Sequence, residues 1–250
     1  MSWISRHACA LSVAAIGIAI AAGIVLGIAG PGHRWGWWGV RVSLGAVLAT
    51  LVGGLIAVVL GALAVVAGLG GAGRGAALTG AAAIVIALGV LSLPVSVVRA
   101  ARNVPRIHDI TTDTERPPAF VAVLARRRDA PNSAEYAGPG LAAQQRAGYP
   151  DLGPADVAAP PTRAFASAAA AARALGWEIV AEAPAEGRLE ATDTTKWWGF
   201  KDDVVVRVTA RGEGSRVDVR SVSRVGRSDL GVNAARIRRF LAEVRSRAAS

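Results

Sequence analysis

The sequence predicts three transmembrane helices followed by an α+β two-layer domain, in which an antiparallel sheet of about four strands is flanked by helices. Three observations carry this expectation. Residues 1–98 hold no Asp, Glu or Lys and four Arg, a composition compatible with lipid. From Arg99 onward the chain turns polar, Pro-punctuated and densely charged. Beyond Pro161, apolar residues recur first at helical spacing, then in alternation, then at helical spacing again.

Crossing the hydrocarbon core takes about 20 apolar residues in a helix, and three stretches qualify: approximately 8–29, 42–69 and 76–98. The first is too long for a cleavable signal peptide, and two further spans follow it. Small residues are frequent along the spans. Gly23 and Gly27 form a GxxxG pair, and Gly53, Ala57 and Gly61 continue that spacing on the second span, which suits close helix approach but also follows from an Ala- and Gly-rich composition. Pro94 predicts a kink or an end in the third span. Ionisable side chains are missing from the middle of the spans, which argues against a proton relay or ion pathway. Trp35, Trp37 and Trp38 beside Arg34 read as an interfacial aromatic belt. Residues 68–73 match G-x-G-x-x-G, but no strand precedes them and no acid follows at the required distance, so they predict a flexible inter-helix loop rather than a dinucleotide site.

Residues 99–161 read as a Pro-rich lead-in, either a linker or a functional wrap, with Phe120–Leu124 as a turn of helix or a strand. The α+β core then spans 162–250. Thr162 is a candidate N-cap for a helix whose face carries Phe165, Ala168, Ala169, Ala172 and Leu175, and Gly176 supplies its stop. Two strands about Trp177–Ala181 and Gly187–Thr192 pair with Trp177, Ile179, Leu189 and Ala191 inward. Strands Asp203–Arg211 and Ser215–Ser223 flank Gly212-Glu213-Gly214, a hairpin signal, with Val204, Val206 and Val208 opposed by Val217 and Val219. Ile237, Phe240, Leu241 and Val244 give a final helix, with Asp229 or Asn233 as cap.

The net charge of +10 divides into +4 from Arg6, Arg34, Arg41 and Arg74 and +6 from the rest. With only two lysines, Lys196 and Lys201, this charge fits anionic headgroups better than nucleic acid. Membrane lipid is the expected partner, with another envelope protein as an alternative; no nucleic acid and no cofactor are expected. The single cysteine, Cys9, excludes an internal disulfide, and no spacing of metal ligands occurs. Three spans put the termini on opposite sides of an inner cell membrane, and the Arg distribution favours a cytoplasmic domain.

Asp202, Arg207, Arg220, Arg224, Asp229, Asn233 and Arg236 form a candidate anion-binding cluster, with Arg207 and Arg220 on one face of the hairpin and Asp229 and Arg236 at a helix start. The alternative is a salt-bridge network that caps the helix and fixes the hairpin. Asp202 and Asp203 point to opposite faces of a strand, which spoils them as a two-carboxylate site. His108 and Asp109 are the weak candidates for a base and its orienter in a hydrolase or transferase. Ser221, Ser223 and Ser228 lack a nucleophile-elbow pattern. Trp197, Trp198 and Phe200 lie on a connection between strands, where they either meet the bilayer surface or close one end of the core.

The runs Pro105–Asp113, Trp198–Asp203 and Arg220–Ile237 resemble the bacterial and plastid family called domain of unknown function 1499, over roughly residues 105–241. That resemblance implies a fold unit and no defined activity. Simpler members look like exported or lipid-anchored proteins, which implies an extracytoplasmic domain, against the Arg distribution. This chain departs from them by its three spans and by having no lipid-attachment cysteine.

Overall fold

The computed structural model describes Trp3–Ala249. By contact the described chain divides into two compact units: the residues up to Ala100 with Trp197–Gly199, and Ala101–Lys196 with the residues from Phe200 onward.

The first unit holds α1 (Trp3–Arg34), α2 (Val40–Ala67) and α3 (Arg74–Arg102). Each is long and apolar enough to cross a membrane. At 32, 28 and 29 residues, a rise of about 1.5 Å per residue exceeds the roughly 30 Å hydrocarbon core. Small side chains set the packing. On α2 the buried line is Gly54, Ala57, Gly61 and Ala64. A Cβ on Gly61 would stand 2.8 Å from the carbonyl oxygen of Gly80 on α3, and one on Gly54 would strike Leu91. On α1 the buried line is Ala15, Ala19, Ala22 and Ala29, whereas Gly27 is exposed with open space around it. Of the Gly23/Gly27 pair, only Gly23 meets another helix, where an added Cβ would stand 3.3 Å from Val90 of α3. Buried hydroxyls reach backbone oxygens, as lipid requires: Ser43 donates to the Ala29 carbonyl at 2.7 Å and Thr50 to that of Ala46 at 3.0 Å. Pro94 does not end α3, which continues to Arg102. The Gly68–Ala72 turn uses Gly71 at φ +101°, a conformation that side chains disfavour.

The second unit is an antiparallel sheet with helices on one face. Its strands are β1 (Asp109–Thr111), β2 (Ala155–Val157), β3 (Glu178–Ala183), β4 (Arg188–Thr194), β5 (Lys201–Arg211) and β6 (Gly214–Ser223). The order is β1-β6-β5-β4-β3, and β2 also pairs with β6. The register sets Val204 against Ser221, Val206 against Val219 and Val208 against Val217. The five valines, with Leu189 and Ala191, enter a core shared with α5 (Pro161–Ala174) and α6 (Val232–Ala249). At its centre Trp177 stacks on Phe240 with ring centroids 4.9 Å apart.

The four strands of the predicted core are joined by two short ones from the lead-in. β1 pairs with residues 220–222 and β2 with 215–217, so together they cover the outer edge of β6. The rest of the lead-in is structured too. A short helical turn, Ala122–Arg127, and α4 (Pro139–Gly148) belong to it. Phe120 and Val123 pack on Val205 and Val222, on the sheet face away from the helices. Helix α5 starts at Pro161 after Pro160, one residue before the expected cap Thr162, because Pro suits the first helical position. Gly176 ends it at φ +78°.

Candidate functional site

Strand alternation decides which of the candidate residues meet. Asp202, Asp229, Asn233 and Arg236 gather on the helix side. Arg236, 2% exposed, donates to Asp202 at 2.6 Å, Asp193 at 2.7 Å and Ser221 at 3.1 Å. Asn233 accepts from Ser221 Oγ at 2.7 Å and donates to Ser223 Oγ and the His108 carbonyl, both at 3.0 Å. Asp229, not Asn233, caps α6: its carboxylate accepts from the Gly231 and Asn233 backbone N–H groups at 3.0 and 2.7 Å. Burial raises the Asp229 carboxyl above its ordinary range despite those bonds. Asn233 sits inside the first turn and ties α6 to the end of β6.

Arg207, Arg220 and Arg224 lie on the opposite face, in three separate groups. Arg220 is 3% exposed and binds Asp109 through Nε and Nη2 at 2.9 and 2.8 Å. It also reaches the carbonyls of Ala134 and Pro118. Its guanidinium lies between the rings of Phe120 and Tyr136, 5.2 and 5.4 Å from their centroids. Arg224 and Arg127 share the buried Asp203, which also accepts from Thr192 Oγ1 at 2.7 Å. Burial opposes ionisation of Asp203, but the bonds from Arg224, Thr192 and Arg127 outweigh it and hold the carboxyl below its ordinary range. Arg207 and Arg216 both contact Asp113 and Asp218. Burial likewise opposes ionisation of Asp113; the Arg116 backbone N–H and Arg207 overcome it, and the carboxyl is lowered. Each group staples a piece of the lead-in to the sheet: Arg220 holds residues 109, 118 and 134, Asp203 holds Arg127, and Arg207 holds Asp113 and the Arg116 carbonyl. A fourth clamp is buried Glu190, which accepts from Arg188 and from the backbone N–H groups of Val121, Ala122 and Val123.

No hydrogen bond joins His108 to Asp109 among the described residues; the Asp109 carboxylate accepts from Arg220 through both oxygens instead. His108 is half-buried and lines a surface cavity of about 620 Å³ together with Arg106, Arg227, Asn132, Glu135 and Gln144. A second cavity, about 590 Å³, is lined by Phe120, Leu124, Arg127, Ala134, Tyr136 and Arg220. Asn132, Ser133 and Glu135 line both, so the strap they belong to borders both cavities. Asn132 pins that strap by donating to the carbonyls of Ser223 and Gly226, each at 2.9 Å.

Among the interfacial aromatics, Trp35 and Trp37 are 62% and 61% exposed. Trp38 instead packs on Gly32 and donates to Ser43 Oγ at 2.8 Å. Trp197 is half exposed. Phe200 closes its connection by accepting from the Thr195 backbone N–H and donating its own N–H to Thr195 Oγ1, and Trp198 is partly buried.

A family model described as "Protein of unknown function (DUF1499)" matches residues 109–244. The chain belongs to the DUF1499 family. No match was found among curated proteins. The DUF1499 match opens on the first residue of β1 and closes within α6, so the lead-in from Asp109 onward lies inside the family unit, while Arg106 and His108 stand just before it. Sequence reasoning did not find Arg106, Arg127, Tyr136 and Arg227 as a set. They share no element and no spacing, and only the fold gathers them around two cavities of the DUF1499 domain.

Proposed function

We infer that this is a membrane-anchored binding protein whose DUF1499 domain takes the phosphate of a lipid headgroup in the cavity lined by Arg106, His108 and Arg227. One observation supports this above the others. Arg207, Arg220 and Arg224 are bound to buried carboxylates, whereas Arg106 and Arg227 are exposed, line one cavity and make no ion pair among the described residues. Two guanidiniums with a half-buried imidazole suit a phosphate oxygen cluster. Glu135 and Asn132 on the same wall would select a headgroup that also carries hydrogen-bond donors. Arg106 follows the end of α3 by four residues, and a tether that short raises the effective concentration of headgroups.

The test is hydrogen exchange of the full chain in nanodiscs of phosphatidylglycerol and of phosphatidylcholine. Protection of residues 106–110 and 224–230 is expected in the anionic discs, with competition by soluble glycerol phosphate and loss in Arg106→Gln with Arg227→Gln. Equal protection in both lipids rules the headgroup reading out. A hydrolase working through His108 and Asp109 has no comparable support, because Asp109 is committed to Arg220.

A further inference from the structure

The second cavity presents chemistry that the headgroup reading does not use. Its walls are mainly apolar, with Phe120, Leu124, Ala130 and Ala134 exposing hydrocarbon, and its volume of about 590 Å³ falls within the range of small-molecule sites. Two buried atoms on lining residues lack hydrogen-bond partners among the described residues: Arg127 Nε and Tyr136 Oη. Arg127 is 6% exposed, and its Nη1 and Nη2 are bound to Asp203 and the Asn132 carbonyl, so only the Nε edge is uncommitted. Buried donors without acceptors are rare and costly. The charge count points the same way. Arg127, Arg220 and Arg224 face Asp109 and Asp203, leaving one positive charge in excess beside the cavity; Glu135 also lines it but is exposed at the rim.

We propose that this cavity binds an aliphatic monocarboxylate, with its hydrocarbon against Phe120 and Leu124 and its two oxygens accepting from Arg127 Nε and Tyr136 Oη. A carboxylate matches two donors and one surplus charge, which an alcohol or an alkane does not. Both donors are shut off from water, so entry requires a rotamer change at Tyr136 on its strap. Arg220 stays committed to Asp109 and to the two backbone carbonyls throughout, and its role is to position Tyr136 and Phe120.

The experiment uses the full chain in phosphatidylcholine nanodiscs, titrated with isotope-labelled octanoate followed by carbon NMR, with empty nanodiscs as the reference. Saturable octanoate binding is expected, without competition from octanol. Loss of a charge-assisted bond in Tyr136→Phe should weaken it about tenfold. The same variant removes an unsatisfied buried hydroxyl, so its Tm should be unchanged or higher, which separates lost binding from lost folding. Arg106→Gln with Arg227→Gln should leave octanoate binding intact, which keeps this site distinct from the headgroup site. Octanoate binding unchanged in Tyr136→Phe, equal competition by octanol, or no saturable binding beyond the empty discs would each overturn the proposal.

Discussion

Replacing Arg220 with Met leaves the Asp109 carboxylate buried without its cation and strands the carbonyls of Pro118 and Ala134. Both partners of the pair are at least 95% buried by side chain, so this is the case in which breaking an ion pair is expensive, about 3–5 kcal/mol. For a domain of this size each kcal/mol moves Tm by about 2–4 °C, giving a drop of roughly 10 °C. The double variant Asp109→Leu with Arg220→Met removes both charges together and should recover most of the loss, since well-packed apolar replacements of buried pairs are often neutral. Scanning calorimetry of the full chain in detergent reads these two variants and the single Asp109→Leu against the parent as a double-mutant cycle. A single-variant shift under about 2 °C, which corresponds to less than 1 kcal/mol, would refute the claim that Arg220 is a staple. So would a double variant no more stable than Arg220→Met.

Further predictions follow from other contacts. Phe240→Ala empties a fully buried site stacked on Trp177 and should cost about 3–5 kcal/mol, read from the same calorimetric transition. Asp203 and Asp113 have folded pKa values below the ordinary 3.8. The unfolded chain therefore binds more protons, and their contribution is complete above pH 4 and lost as the pH falls through the lowered values. Tm measured from pH 5 to 3 should fall, and Asp113→Asn should flatten part of that slope; a flat profile in the parent contradicts the assignment. Gly61→Leu drives a side chain into the Gly80 backbone and should open the α2–α3 contact, seen as lost disulfide crosslinking between cysteines placed at Ala57 and Ala87, which share one buried cluster. Leu230 holds φ +54°, so Leu230→Gly should stabilise by about 1 kcal/mol, whereas a lower Tm would show that its side chain packs.

The three long apolar helices were legible because nothing but an uninterrupted apolar run is needed to mark them. The β5–β6 hairpin was legible from valine alternation and Gly212-Glu213-Gly214. The strands β1 and β2 were not, since three residues carry no period and their pairing is decided by a partner over 50 positions away. In the sequence the charged residues look like one cluster, a site or a salt-bridge network, because Arg and Asp recur through 202–236. Alternation sends Arg220 and Ser221 to opposite faces, and each face has its own partners. Those partners come mostly from the lead-in, whose attachment rests on side-chain bonds to backbone carbonyls that no sequence pattern announces.

The pairing of β1 with β6 also orders events during synthesis. Asp109 leaves the ribosome 111 residues before the Arg220 that holds it, a delay of roughly 10 s at ordinary elongation rates. During that interval the chain already has its three apolar helices, while the segment after Arg102 has no strand to join and its Pro-rich stretch stays open. Translation of β6 is the event that closes the domain. A protein truncated shortly before Arg220 should thus present the whole lead-in to proteases and chaperones beside an inserted anchor.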